Sequence, residues 1–186
     1  MSTSLQRVLP FSKYLLKSVI EPGDTVIDAT TGNGHDTLFL AECVSESGRV
    51  YGFDVQAEAI RNTQEKLDVA NLNQVTLIHE GHQFVLNHVT TEISAAIFNL
   101  GYLPGSNQEI TTHGETTWAA VTDMLNILKK NGLIILVVYH GHEEGKLERH
   151  FIEEKIETLN PKETQVLRYQ FPNRKTAPYI LAIEKL

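Results

Sequence analysis

The feature that most constrains this chain is a turn between two apolar segments. Thr25-Val-Ile-Asp-Ala29 is short and apolar, the pattern of a buried strand. It runs into Asp28-Ala-Thr-Thr-Gly32-Asn-Gly34 and then into a helical pattern from His35 to Glu46. A strand that bends directly into a helix needs glycine, because the backbone must turn sharply and let a ligand approach closely. Twenty residues after Gly34, the second apolar run Arg49-Val-Tyr-Gly-Phe-Asp54 ends in a carboxylate. Two parallel strands joined by a crossover helix bring both features to the carboxyl edge of the sheet, where an acid accepts hydrogen bonds from both hydroxyls of a ribose. Turn and acid together predict a nucleoside-binding edge.

The rest of the chain alternates in the same way, which predicts an α/β fold with a mostly parallel sheet. Residues 4–20 read as an amphipathic helix closed by Glu21-Pro22-Gly23. Residues 57–70 read as a second crossover helix, and Val75-Thr-Leu-Ile78 and Ala95-Ala-Ile-Phe98 as the third and fourth strands. Thr116 to Lys130 is a predicted helix with Asn131-Gly132 as its stop signal, followed by the most apolar and therefore central strand, Leu133–Tyr139. A charged helix spans 143–158, and strands near 164–170 and 178–184 form a closing hairpin.

The cofactor type follows from what the turn lacks. A dinucleotide fingerprint places a third glycine where this chain has Thr37, and it does not open on an acid. Here Asp28 precedes Gly32 by four residues, giving D-x-x-x-G-x-G, the first motif of methyltransferases that use S-adenosylmethionine (SAM). That cofactor presents an ammonium and a carboxylate instead of a pyrophosphate, and the polar side chains Asp28, Asn33 and Asp36 suit the ammonium. Gln56, two residues past Asp54, is a candidate for the edge of the adenosine pocket. His82, in His79-Glu-Gly-His-Gln83 after the third strand, is the candidate for a hydrogen bond to adenine.

Charge and composition bound the partners. The formal charge is −7, with 16 Lys and Arg against 23 Asp and Glu. That argues against coating long nucleic acid, though not against gripping part of a structured RNA through a local basic patch. No apolar run reaches the ~20 residues of a membrane span, and no leader pattern opens the chain, so a cytoplasmic protein is expected. The single cysteine, Cys43, excludes an intrachain disulfide and a cysteine metal cluster.

The fourth strand runs into Asn99-Leu-Gly-Tyr102-Leu-Pro-Gly105, at the crevice beside the glycine turn. This segment resembles the (D/N)-P-P-(Y/F) motif of methyltransferases that modify amino groups, with Leu-Gly in place of Pro-Pro. In that motif the Asn oxygen and the next backbone carbonyl accept hydrogen bonds from the target nitrogen, and the aromatic ring packs on the base. The analogy makes Asn99, the Leu100 carbonyl and Tyr102 catalytic candidates. Tyr139, His140 and His142 end the fifth strand beside the same crevice and are candidates to take a proton or orient the amine. His140-Gly-His142-Glu-Glu also permits a metal reading, but two His residues without a matched third ligand are a weak signal, and no metal is expected.

Val26-Ile-Asp-Ala-Thr-Thr-Gly-Asn-Gly-His-Asp-Thr-Leu-Phe-Leu40, Gly52-Phe-Asp-Val-Gln56, Phe98-Asn-Leu-Gly-Tyr-Leu-Pro-Gly105, Tyr139-His-Gly-His142 and Asn173-Arg-Lys-Thr-Ala-Pro178 occur in this order. Together they are similar to a bacterial family once labelled rRNA methylase, whose members are understood as tRNA 5-aminomethyl-2-thiouridine methyltransferases. The resemblance spans nearly the whole chain. It implies a Rossmann-like class I methyltransferase domain over residues 1–186, with a seven-stranded sheet, helices on both faces and an antiparallel C-terminal strand. It also implies SAM as cofactor and transfer to the exocyclic amine of the tRNA wobble uridine (U34), giving 5-methylaminomethyl-2-thiouridine. Arg168, Arg174 and Lys175, on or near the last hairpin, are candidates to meet anticodon phosphates. A homodimer is expected, because a bare domain offers little RNA-binding surface and twofold dimers are the commonest oligomers. The alternatives are a SAM-dependent N-methyltransferase of a small amine metabolite and a SAM-binding module without chemistry.

Overall fold

The computed structural model describes residues 4–101, 112–140 and 143–186. Among these, seven strands form one sheet: β1 (Thr25–Asp28), β2 (Arg49–Phe53), β3 (Val75–Ile78), β4 (Ile93–Leu100), β5 (Leu128–Val138), β6 (Thr164–Tyr169) and β7 (Tyr179–Lys185). Their spatial order is β3-β2-β1-β4-β5-β7-β6. The first five run parallel, and β7 pairs antiparallel with both β5 and β6. Strand order reverses between β1 and β4, so a crevice opens at their carboxyl ends, as expected for doubly wound sheets.

Among the described residues, five helices accompany the sheet: α1 (Val8–Val19), α2 (His35–Val44), α3 (Ala57–Ala70), α4 (Gly114–Ile127) and α5 (Glu143–Ile156). Both sheet faces are covered, which is why the central strands are apolar throughout instead of alternating. On one face Leu16 of α1 and Leu40, Ala41 and Val44 of α2 pack on Val26, Ala95, Ile97, Ile135 and Val137. On the other, Ala120, Val121 and Met124 of α4 and Ile152 of α5 pack on Ile27, Phe98, Leu100, Leu136 and Tyr179. A 3₁₀ turn at His82–Asn87 joins this second layer. None of the described helices is long and apolar enough to cross a membrane.

Around β4 and β5 the boundaries differ from the sequence-based expectation, for identifiable reasons. The helix predicted to end at Lys130 stops at Ile127, and Leu128 already pairs with Ile93 inside β5. Asn131-Gly132, expected to stop a helix, is a bulge in the strand: Asn131 has φ of 62° and the pairing with β4 shifts between Ile93 and Ala95. Burial of Leu128, 2% exposed, against the core overrides its helical propensity. The fourth strand, expected over residues 95–98, extends to Leu100, so Asn99 is held by a ladder and not by the loop after it.

Gly52 lies in β2 directly beneath the first turn. A Cβ there would meet Thr31 Oγ1 at 2.8 Å and Leu77 Cδ2 at 2.9 Å. Gly52→Ala should therefore overpack this layer and destabilise the fold by about 1–3 kcal/mol, read as a lowered urea midpoint with unchanged slope. An unaltered midpoint would show that the layer has room to give.

Candidate active site at the carboxyl edge of the sheet

The first turn is built around a buried carboxyl. Asp28 has no exposed surface; it accepts the Thr37 hydroxyl at 2.6 Å and the Thr30 N–H at 3.2 Å. Burial pushes its carboxyl up to about 7, with Asp36 adding like-charge repulsion. Asp28 thus faces inward, joining the end of β1 to the start of α2, and does not point outward at a cofactor ammonium. Thr37, which replaces a dinucleotide-type glycine, is its main donor. Gly32 and Gly34 have φ of 51° and 79°, and a Cβ at Gly34 would lie 2.7 Å from Thr63 Oγ1 of α3. The α3 helix grips the turn in two further ways: Thr63 donates to the Gly32 carbonyl at 3.2 Å and Lys66 to the Asn33 carbonyl at 2.6 Å.

Asp54 sits at the end of β2, half-buried. Its carboxylate accepts the Gly32 N–H at 2.8 Å and the Gln56 N–H at 2.9 Å. Burial raises its pKa, and these backbone donors partly offset that. A carboxylate offers about four lone-pair sites, so acceptors remain for a vicinal diol. The donor set therefore fits the ribose of an adenosine cofactor. Gln56 contributes through its backbone and caps α3.

His82 folds inward. Its Nδ1 donates to the Ala29 carbonyl at 2.9 Å, and its ring meets Phe98 edge-on at 5.3 Å. Burial holds the imidazole neutral, and its Nε2 is a buried acceptor with no partner among the described residues. The ring ties β1 to β4, and only Nε2 remains to receive a donor.

The end of β4 borders the same crevice, beside β1. The Asn99 N–H donates to Thr30 Oγ1 at 2.7 Å, and its side-chain Nδ2 donates to Asp36 at 2.9 Å. Asp36 also faces Lys13 of α1 at 3.7 Å. An ionised carboxylate only accepts, so Asp36 fixes the amide with Nδ2 as its donating end and Oδ1 as its accepting end. Asp36 therefore serves the Asn99 side of the crevice as much as the cofactor turn. The Leu100 carbonyl accepts the Tyr139 N–H at 3.3 Å, which leaves it one lone pair.

The fifth-strand residues divide. Tyr139 packs on the α1 and α2 face; burial and the nearby Asp36 raise its pKa, so at neutral pH it is a phenol, a donor rather than a base. His140 is 7% exposed, and its Nε2 donates to the Ala177 carbonyl at 3.1 Å, which pins the loop before β7. Tyr102 and His142 lie outside the described residues. Nearby, the Gly101 and Thr112 backbones bond to each other. Thr112 and Thr117 donate their hydroxyls to the buried Glu148 of α5 at 2.6 and 2.9 Å.

The hairpin cations also divide. Arg168 pairs with Glu153 at 3.0 Å and lies over the Tyr179 ring at 4.4 Å. Arg174 and Lys175 are exposed, with Arg174 over the Phe171 ring at 5.7 Å. Lys13, Thr30, Thr37, Thr63, Lys66 and Glu148 were not singled out in the sequence. Thr37 alone carried a signal, as the residue standing in place of the third glycine.

Residues 50–185 match the family model described as "Putative rRNA methylase". Residues 4–84 also match the model for protein-L-isoaspartate(D-aspartate) O-methyltransferase. The chain is 38% identical over 180 residues to a protein of Arabidopsis thaliana named tRNA (mnm(5)s(2)U34)-methyltransferase, chloroplastic. That match covers 91% of this chain and 66% of the relative, so the chain spans just under two thirds of the relative's length. A Clostridium thermocellum structure described as a "putative rRNA-methylase" superposes with a TM-score of 0.97 at 40% identity, covering 99% of this chain and 100% of that one. A Streptococcus mutans "putative methyltransferase", solved with SAH, superposes with a TM-score of 0.91 at 38% identity, covering 98% and 99%.

The buried Asp28 makes stability depend on pH with a definite sign. Below the ordinary carboxylate range, folded and unfolded chains both carry its proton. Between there and about 7 only the folded chain does, so this group's contribution falls as pH rises through that window. Asp28→Asn removes the titration. Without SAM, the melting temperature of the variant relative to wild type should climb by several degrees from pH 5 to pH 8. A flat difference would show that Asp28 does not titrate near neutrality.

Proposed function

The chain belongs to the family described as "Putative rRNA methylase" and is a SAM-dependent methyltransferase, and from that premise we propose that it methylates the exocyclic amine of 5-aminomethyl-2-thiouridine at U34 of tRNA. The observation that carries this reading is the Asn99 amide at the end of β4, its Nδ2 held by Asp36 so that Oδ1 is left for a substrate N–H. The printed name of the Arabidopsis relative supports the choice of nucleoside. A site in the cytoplasm, where tRNA is matured, belongs to the same reading.

When bound, SAM supplies an electrophilic methyl carbon on a good leaving group; the rest is positioning by this chain. Asp54 and the Gly32–Gly34 turn hold the adenosine end. Asn99 Oδ1 and the remaining lone pair of the Leu100 carbonyl accept the two N–H bonds of a neutral amine, which aims its nitrogen lone pair at the methyl group. As the N–C bond forms, the nitrogen becomes cationic and its N–H donors strengthen, so both acceptors bind the transition state better than the ground state. Tyr139 borders the site as a neutral hydrogen-bond donor. Tyr102, placed by the motif alone, is assigned to pack on the base.

The mutational test separates cofactor from substrate. Asp54→Ala should weaken SAM binding by ~2–4 kcal/mol in calorimetry, because the diol loses its acceptor and the Gly32 turn its anchor. Near-wild-type affinity would remove that assignment.

Asn99→Ala should leave SAM affinity nearly unchanged and lower single-turnover methylation of tRNA bearing unmethylated 5-aminomethyl-2-thiouridine by ~10²-fold or more. Full activity would make the segment a mere strand end. Activity only on a small amine, with none on tRNA, would replace the proposed substrate.

A further inference from the structure

The basic residues are distributed unevenly along the chain. Segments 4–20 and 164–183 hold six of its 16 Lys and Arg and none of its 23 Asp and Glu. These segments lie at opposite ends of the sequence, yet the fold brings them together. The Phe11 ring of α1 stacks on Tyr169 of β6 at 4.0 Å, and the Tyr169 hydroxyl donates to the Gln6 carbonyl at 2.7 Å. The aromatic run continues in both directions. Tyr14, 58% exposed, stacks beside Phe11 at 5.9 Å, and Phe171 meets Tyr169 edge-on at 5.6 Å. Arg174 lies over Phe171, and Arg7, Lys17 and Lys175 are exposed around the same two segments. Arg168 stands apart, paired with Glu153.

We infer that α1 and the β6–β7 connection form one composite surface that binds single-stranded RNA next to the methylated residue, Tyr14 stacking on an unpaired base and Arg7, Lys17, Arg174 and Lys175 meeting phosphates. Cations interleaved with accessible rings suit unstacked bases on a charged backbone. In a protein of net charge −7, two segments free of acid are a local exception that favours a polyanion over an acidic protein surface or a second copy of this chain. The surface also adjoins the reactive edge. Lys13 of α1 reaches Asp36, which holds Asn99, and His140 at the end of β5 pins the Ala177 carbonyl of the connection. This inference rests on the tRNA reading above, and it adds the N-terminal helix to the RNA-binding surface.

The test uses fluorescence anisotropy of the full chain with a labelled anticodon stem-loop, and with a fully paired duplex for comparison. Tyr14→Ala should weaken stem-loop binding about tenfold and change duplex binding little. Arg7→Glu combined with Arg174→Glu should weaken both RNAs and flatten the dependence of log affinity on log salt by nearly one for each phosphate no longer neutralised. SAM affinity, measured by calorimetry, should match wild type in both variants and so confirm that they fold. Wild-type stem-loop affinity in both variants, with the unaltered protein still methylating tRNA, overturns this surface and spares the substrate reading. Failure of the unaltered protein to bind or methylate any tRNA overturns both. If light scattering finds a dimer that Tyr14→Ala converts to monomer, a second copy covers the face and the RNA surface is likewise overturned.

Discussion

The carboxyl edge of the sheet around β1 and β4 depends on a carboxyl group with no exposed surface. Asp28 is buried at the end of β1 and takes the Thr37 hydroxyl and the Thr30 N–H. Thr30 then receives the Asn99 N–H through its own hydroxyl, and the first turn of α2 carries Asp36 to the Asn99 side chain. The glycine turn and the Asn99 amide are thereby set by one network at the junction of β1, β4 and α2. Desolvating a carboxyl is costly, and two donors only partly offset it. The network concentrates that strain where its geometry matters most, a common arrangement in functional sites.

The sequence disclosed the parts of this design that are periodic or punctuated. Hydrophobic runs located the strands, glycine located the turn, and Asp54 stands at the strand end where an acid was expected, bonded to the Gly32 N–H of that turn. The direction of side chains was not legible. Asp28 and Asp36 look equivalent in Asp28-Ala-Thr-Thr-Gly-Asn-Gly-His-Asp36, yet one is buried beneath the turn and the other bridges α1, α2 and β4. His82 and His140 have the pattern of exposed polar residues at strand ends. Both turn inward, each donating to a backbone carbonyl that secures a neighbouring segment. Such roles depend on which carbonyl a fold leaves unpaired, and no local pattern encodes that.

Asn131-Gly132 makes the same point about boundaries. As a dipeptide it reads as the end of a helix. In the fold its left-handed Asn131 bulges a central strand, and a Cβ on Gly132 would approach the Ser94 carbonyl of β4 to 2.8 Å. The local conformation is legible in those two residues, and its context is not, because the pairing partner is more than thirty residues away.

The position of β7 bears on how such a chain is made. It follows β6 in sequence but lies between β5 and β6 in the sheet, where Ile134–Val138 and Val166–Tyr169 both pair with it. During vectorial synthesis the interior slot of the sheet is therefore the last to be filled. Until Tyr179–Lys185 leaves the ribosome, the apolar rim of β5 stands open, and β6 has no neighbour to join. A nascent chain stalled a few codons short of that strand would carry a nearly finished cofactor half and an unpaired central edge. That species is prone to aggregate and is the natural substrate of chaperones, so the emergence of β7 is the step on which the yield of folded protein turns.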